Sequence, residues 1–356
     1  MDPRIKKLAS ILVNHSTKIK KGDLIEVNFG YEAKDLANEI AKLILLKGAF
    51  PMVNCTPEGF AYTYFKYANE EQLKSTPKLR MYEAKQIAGT INIGTEYNTK
   101  ELSSIDPKRI ALRRKATKKV SDIIIKKNNW VICQFPTHAL AQDAEMSLKE
   151  MEDFVYSACI NDWKKEEKRQ SVLKRILDKG NKVRIVGKQT DITFSIKGRT
   201  GIKCFGTRNM PDGEVFIAPV ETTTEGYILY DYPVSTYGKE IDQIYLEFKK
   251  GKVVKATASK NQDFLRKMIA SDPGASRLGE FGIGTNFGIK KFIKQILFDE
   301  KIGGTVHLAL GMAYPEGGGK NKSSIHWDMI KDLRKGGKLY IDDKLIMKNG
   351  KFTVKF

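Results

Sequence analysis

A strand, a helix and a second strand follow one another near the start of the chain, and this order constrains the fold of the first half. Residues 24–28 are mostly apolar, residues 33–46 repeat apolar side chains at helical spacing, and residues 51–55 resume a strand pattern. A β-α-β unit of this kind predicts two parallel strands joined by a right-handed crossover. Gly30 follows the first strand as a turn glycine, without a nucleotide-binding motif around it.

The alternation of strands and helices continues to about residue 180. Further strand patterns occupy residues 88–93 and 130–135, and helical patterns occupy residues 70–83, 110–126 and 148–178. Residues 1–180 are therefore predicted to form an α/β N-terminal domain with an open, largely parallel sheet.

The pattern changes in the second half of the chain. From about residue 183 onwards, short strands separated by turn residues replace the alternation, and only residues 261–270 are clearly helical. Residues 181–356 are predicted to form a mainly β (α+β) C-terminal domain. A chain of 356 residues is long enough for two separate cores.

Composition places the protein among globular proteins of the cytoplasm. Hydrophobic residues make up 41% of the chain and charged residues 29%, and no apolar run approaches the roughly 18 residues of a membrane span. The first residues are charged and do not resemble a secretory signal. The four cysteines lie far apart, which favours free thiols in a reducing compartment; Cys204 is the one nearest to a candidate site residue.

The net charge of +20 suggests nucleic-acid binding as another possible class of function, because such an excess of positive charge favours binding to phosphate backbones. Residues 113–119 form one basic cluster, but most lysines alternate with acidic residues along helical patterns. No nucleic-acid-binding motif accompanies them. A lysine-rich solvated surface is the preferred interpretation, so neither a nucleic-acid nor a membrane partner is expected.

His326 and Asp328 are separated by one residue, and this spacing suggests a metal site. On a β-strand such residues point to the same face, whereas on a helix they diverge by about 200°. An isolated His-x-Asp pair is more often an ordinary surface feature. The chain has only four histidines, however, and a second one, His307, lies nearby among glycine-rich turns.

Five short segments of unusual composition resemble, in their order and separation, the M29 family of metal-dependent aminopeptidases. The segments are 209–219, 278–286, 304–311, 313–318 and 324–328. They contain, in this order, Glu214 after a Pro-Asp-Gly turn, Glu280 between Gly279 and Phe281-Gly282, His307, Tyr314, and His326-Trp327-Asp328. Residues 130–137 agree more loosely with the family's N-terminal domain.

The resemblance implies a two-metal hydrolase. Glu214, Glu280, His307, His326 and Asp328 would bind two divalent ions, with Tyr314 close to them. Carboxylates and imidazoles suit Zn²⁺, Co²⁺ or Mn²⁺, and such a pair of ions can activate a water molecule for attack on a peptide bond. The resemblance further implies short peptide substrates and a homodimer.

Several roles stay open at the level of sequence. Glu214, Glu280 and Tyr314 are candidate catalytic groups, but either glutamate can be the general base while the other bridges the metals. Glu221 and Glu316 are candidates for binding the α-amino group of a substrate. An exposed strand-end glutamate and a buried core histidine are the structural alternatives for Glu214 and His307.

Two other functions compete with the aminopeptidase. A two-metal phosphoesterase or nuclease would use the same ligands and would benefit from the positive charge. A basic nucleic-acid-binding protein without enzymatic activity would need no metal at all. Metal-dependent release of N-terminal residues from peptides would distinguish the aminopeptidase from both of these alternatives.

Overall fold

The structure is a computed structural model that describes residues 2–236 and 239–355. Its chain forms two compact units: the first contains Met1–Asn161 and Gly206–Pro211, and the second contains Asp162–Phe205 and Asp212–Phe356. The boundary predicted at residue 180 lies beyond the start of the second unit. Independent folding of the two units as domains stays a prediction.

The bounds of the elements follow in chain order. The helices are α1 (Pro3–Ile11), α2 (Lys34–Leu46), α3 (Phe60–Tyr67), α4 (Glu70–Lys74), α5 (Lys78–Gln86), α6 (Pro107–Lys126), α7 (His138–Asp143), α8 (Leu148–Cys159), α9 (Trp163–Lys179), α10 (Gln262–Ile269) and α11 (Ile296–Asp299). The strands are β1 (Leu24–Gly30), β2 (Phe50–Thr56), β3 (Gly89–Gly94), β4 (Trp130–Gln134), β5 (Lys182–Gly187), β6 (Thr190–Ser195), β7 (Ile202–Cys204), β8 (Asn209–Met210), β9 (Glu214–Ile217), β10 (Glu225–Leu229), β11 (Val234–Thr236), β12 (Lys239–Ile241), β13 (Tyr245–Lys249), β14 (Lys252–Thr257), β15 (Leu278–Gly284), β16 (Thr305–Gly311), β17 (His326–Asp332), β18 (Lys338–Ile341), β19 (Lys344–Lys348) and β20 (Lys351–Phe352).

The first unit is built on a parallel sheet, which confirms the predicted α/β fold class. Its strand order is β2-β1-β3-β4-β8, and every pairing is parallel. The predicted β-α-β unit is β1, α2 and β2. The fifth strand, β8, was not predicted, because it comes from a short return of the chain between two parts of the second unit.

The single helix predicted over residues 70–83 is wrong in detail. Two helices occupy this stretch, and three residues separate the end of α4 at Lys74 from the start of α5 at Lys78. Pro77 between them disfavours the helical conformation of the residue before it and removes a backbone donor.

The second unit is mainly β, as predicted. An eight-stranded sheet has the order β14-β13-β10-β6-β5-β18-β19-β20, and a five-stranded sheet has the order β17-β16-β15-β9-β7. Buried side chains from both sheets form one hydrophobic core, to which the five-stranded sheet contributes Val215, Ile217, Phe281, Ile283, Leu308 and Met329 among others.

One face of the five-stranded sheet is therefore committed to the core. Because side chains alternate along a strand, the residues between these apolar positions point to the opposite face. That face carries the candidate site. Among the helices of the described residues, none combines the length and apolar character that crossing a membrane requires.

Candidate metal centre

The five predicted ligands share the face of the five-stranded sheet that is turned away from its core. Glu214 opens β9, His307 lies on β16, and His326 and Asp328 begin β17. The predicted strand geometry of the His-x-Asp pair is thus present. Glu280 on β15 completes the set, in register with Ala309, which is itself in register with Asp328.

A β-bulge aims Glu280 at this face. Leu278 and Glu280 are two residues apart and would share a face on a regular strand. The register of β15 against β16 shifts between them, so that Leu278 packs in the core while Glu280 faces His307. Bulges re-aim side chains in this way. Gly279 allows it, because a Cβ there would lie 2.4 Å from the carbonyl oxygens of Gly311 and Met312.

The ligand atoms fall into two groups that share Glu280. Glu214, Glu280 and His307 form one group, and Glu280, His326 and Asp328 form the other, each with ligand atoms within 4.8 Å of one another. His307 Nε2 lies 3.2 Å from Glu280 Oε1 and 3.2 Å from Glu214 Oε2. His326 Nε2 lies 3.8 Å from Glu280 Oε2 and 3.5 Å from Asp328 Oδ2. The two oxygens of Glu280 thus face different groups.

These spacings fit divalent metal ions. Bonds of about 2.0–2.2 Å to nitrogen and oxygen place neighbouring ligands about 3.0–3.5 Å apart. Among residues 2–236 and 239–355, five buried carboxylate oxygens have no hydrogen-bond partner, and three of them belong to this centre: Glu214 Oε2, Glu280 Oε2 and Asp328 Oδ1. A buried charged oxygen without a partner is costly, and a metal ion supplies the missing partner.

Backbone carbonyls orient both imidazoles. The Nδ1 group of His307 donates to the carbonyl oxygen of Glu300 at 3.0 Å, and that of His326 donates to Met312 at 2.8 Å. With Nδ1 protonated, each Nε2 is left to face the carboxylates and can bind a metal. Neither carbonyl acceptor was recognised from the sequence, because backbone acceptors leave no residue pattern.

The electrostatics of the metal-free centre favour bound protons. Burial raises the pKa of Glu214 to about 8. Burial lowers the pKa of His307 and His326, but the surrounding carboxylates outweigh it and raise the pKa of each to about 10. Metal binding must displace these protons, since a metal ligand is a carboxylate or a neutral imidazole.

Tyr314 lies beside this centre, as predicted from the resemblance. Its ring centroid is 5.0 Å from that of His326 and 5.6 Å from that of Phe216. Burial, together with the charges of Glu280 and Asp328, raises the pKa of the phenol. Tyr314 therefore stays protonated near neutral pH and can donate a hydrogen bond.

The other acidic candidates have different surroundings. Glu221 pairs with Arg199 at 2.6 Å and accepts a hydrogen bond from Lys320 N at 2.8 Å, so its carboxylate is already engaged. Glu316 is exposed in the 3₁₀ turn Pro315–Gly317. Cys204 lies close to Glu214, but burial raises the pKa of its thiol well above the ordinary value, which argues against a nucleophile.

Comparison with known proteins identifies the family. The thermophilic metalloprotease (M29) model matches residues 1–352. This chain belongs to the M29 family. Aminopeptidase 2 of Geobacillus stearothermophilus is 28% identical over 352 residues, which cover 88% of this chain and 84% of that protein. Aminopeptidase AmpS of Bacillus subtilis is 26% identical over 382 residues and covers 92% of each.

The fold of a solved structure agrees as well. Wild-type AmpT from Thermus thermophilus superimposes with a TM-score of 0.87 at 22% identity, over 99% of each chain. These findings confirm the predicted M29 membership, enzyme class and fold class. The roles of the individual M29 site residues stay predictions.

Proposed function

We propose that this M29 metalloprotease is an aminopeptidase that removes N-terminal residues from short peptides with the help of two divalent ions. The observation that carries the proposal is the position of Glu280, whose two oxygens face two separate ligand groups. A carboxylate shared in this way suits two ions about 3.5–4 Å apart. Zn²⁺, Co²⁺ and Mn²⁺ all accept such oxygen and nitrogen ligands.

Each ligand has a distinct role in this proposal. Glu214 and His307 would hold one ion, His326 and Asp328 would hold the other, and Glu280 would contribute to both groups. When bound, the ions would lower the pKa of a water molecule and polarise the carbonyl of the scissile peptide bond. The protein's part is to fix these ligands on a rigid sheet.

Two further groups act on the reacting atoms. The protonated phenol of Tyr314 donates a hydrogen bond to the carbonyl oxygen of the substrate as negative charge develops there. A glutamate transfers the proton from water to the leaving amine, and Glu214 and Glu280 are the two candidates because both carboxylates belong to the ligand groups. Replacing each glutamate by glutamine separates their roles.

The cellular setting is part of the same proposal. Free, scattered cysteines suit the reducing cytoplasm. Homodimer formation and a preference for short peptides rest on the family resemblance.

The test compares chelator-treated protein before and after addition of Co²⁺, Zn²⁺ or Mn²⁺. Leucine p-nitroanilide and short peptides are the substrates, and N-acetylated versions report on the need for a free amino group. Metal-restored release of the N-terminal residue alone is expected. Glu280→Gln should abolish it, while Glu71→Gln, the same change at an exposed glutamate of α4, should retain it.

Two results would contradict the proposal. If N-acetylated substrates were hydrolysed as fast as those with a free amino group, the protein would not be an aminopeptidase. Metal-dependent cleavage of bis(p-nitrophenyl) phosphate without cleavage of any peptide would favour the phosphoesterase instead.

A further inference from the structure

Lys301 is a fully buried lysine beside the candidate metal centre. Its side chain has 0% exposure, and its ammonium group forms an ion pair with Glu300 and lies 3.7 Å from Glu214 Oε1. Lysine is rarely buried without a specific partner, because removal of the ammonium from water is costly. Its location therefore calls for a reason beyond packing.

Lys301 and the residue before it hold two ligands of the same group. The Glu300 carbonyl accepts the hydrogen bond from His307 Nδ1 at 3.0 Å. Lys301 lies next to one oxygen of Glu214, and the other oxygen of Glu214 is 3.2 Å from His307 Nε2. The carboxylate is thus located between a fixed cation and an imidazole.

The segment that carries Lys301 is itself fixed. Lys301 N donates to the Phe298 carbonyl at 3.0 Å, and the Lys301 carbonyl accepts from Asn286 N at 3.1 Å. The buried Asp299 carboxylate accepts from Ile293 N at 2.8 Å. These bonds fix the backbone from which the Lys301 side chain extends toward Glu214.

We propose that Lys301 is a positioning residue that orients Glu214 for one of the two ions and acts on the other ion's ligands only through its charge, over a longer distance. The inference rests on the proposed two-ion function. The second group, with His326 and Asp328, is oriented instead through the Met312 carbonyl. Loss of Lys301 should therefore weaken one binding step selectively.

The experiment is an equilibrium titration of metal-free protein with Co²⁺, followed by the visible absorption of the bound ion in the presence of a competing chelator. Wild-type protein should show two binding steps. Lys301→Met should weaken one step by about 10- to 100-fold, as substitutions behind a metal ligand typically do. The other step should stay within about threefold.

Lys331 offers a matched control. It is another buried lysine of the second unit, and its ammonium donates to the carbonyls of Lys188 and Leu229 and pairs with Asp231. Lys331→Met removes a buried cation away from the five ligands. It should lower the melting temperature and leave both Co²⁺ steps within about threefold.

A double-mutant cycle tests whether Lys301 acts through Glu214. In a Glu214→Gln background, the further change Lys301→Met should cause no additional loss at the affected step. If circular dichroism shows that the methionine variant does not fold, the same measurements are made on Lys301→Gln, which keeps a hydrogen-bond donor.

The outcomes distinguish the two proposals. If wild-type protein binds fewer than two ions, the two-ion function is overturned and this inference with it. If wild-type protein binds two ions but the Lys301 variants weaken both steps equally, or neither, the positioning role alone is overturned. Full additivity with Glu214→Gln would also overturn it.

Discussion

Replacement of Gly282 by alanine would place a methyl group inside the candidate metal centre. Gly282 on β15 is in register with His307 on β16. An added Cβ would lie 2.0 Å from His307 Cε1 and 2.1 Å from Nε2. Carbon atoms in contact are normally about 3.5–4.0 Å apart, so the imidazole would have to retreat by roughly 1.5 Å.

The expected loss of function is large. A misplacement of about 1 Å in a reactive geometry can lower a rate about 100-fold, so we expect kcat/KM to fall by at least about that factor. Crowding of a packed interior should also cost about 1–3 kcal/mol of folding free energy. The backbone of Gly282 is not in the left-handed region, so the effect would come from the clash with His307 and not from backbone strain.

Gly201 provides the matched control. It is buried in the same unit, and the nearest atom to an added Cβ is Asp178 Oδ1 at an ordinary 3.4 Å. The assay is metal-restored hydrolysis of leucine p-nitroanilide, with Co²⁺ affinity and thermal unfolding measured alongside. Gly201→Ala should behave as wild type. If Gly282→Ala retained wild-type activity and Co²⁺ affinity, the assignment of His307 as a ligand would be refuted.

Two further predictions concern protons at the same centre. The pKa values of His307 and His326 are raised from 6.5 to about 10, and that of Glu214 is raised from 4.5 to about 8. Groups with raised pKa values stabilise the metal-free fold at low pH, and this contribution is lost as the pH rises through those values. Because metal binding displaces these protons, the difference in melting temperature between metal-loaded and chelated protein should widen from about pH 6 to about pH 9; a narrowing difference would contradict the reasoning. Tyr314→Phe keeps the ring but removes the donor, so kcat should fall by about 100- to 1000-fold with Co²⁺ affinity unchanged, and wild-type kcat would exclude the oxyanion role.

The sequence indicated those parts of the site that depend on local periodicity. His326 and Asp328 were expected on one face of a strand because a spacing of two residues has that consequence only in a strand. The face of the sheet to which the Glu280 side chain points was not predictable in this way. It depends on a bulge at Gly279, and a bulge is defined by the register against a partner strand that the local sequence does not specify.

Lys301 shows a second limit of sequence reasoning. In a chain with 62 lysine and arginine residues, one more lysine carries no pattern that distinguishes a buried cation from a solvated one. Its burial becomes visible only when α11 and the loop after it pack beside β9 and β16. The run Asp299-Glu300-Lys301, one residue before a pair of glycines, was the available signal, and it is too short to be specific.

The register of the five-stranded sheet explains why strands β15 and β16 carry glycine and alanine at several positions. Each of the five candidate ligands has a glycine or an alanine as a cross-strand neighbour: Glu214 faces Gly284, Glu280 and Asp328 face Ala309, His307 faces Gly282, and His326 faces Gly311. Cross-strand neighbours share a face and lie only about 4.5–5.5 Å apart. Large side chains at these positions would fill the space into which the ligands lean. The same strands pack large apolar side chains on their opposite face, so the sheet combines a rigid core with an open surface for metal ions.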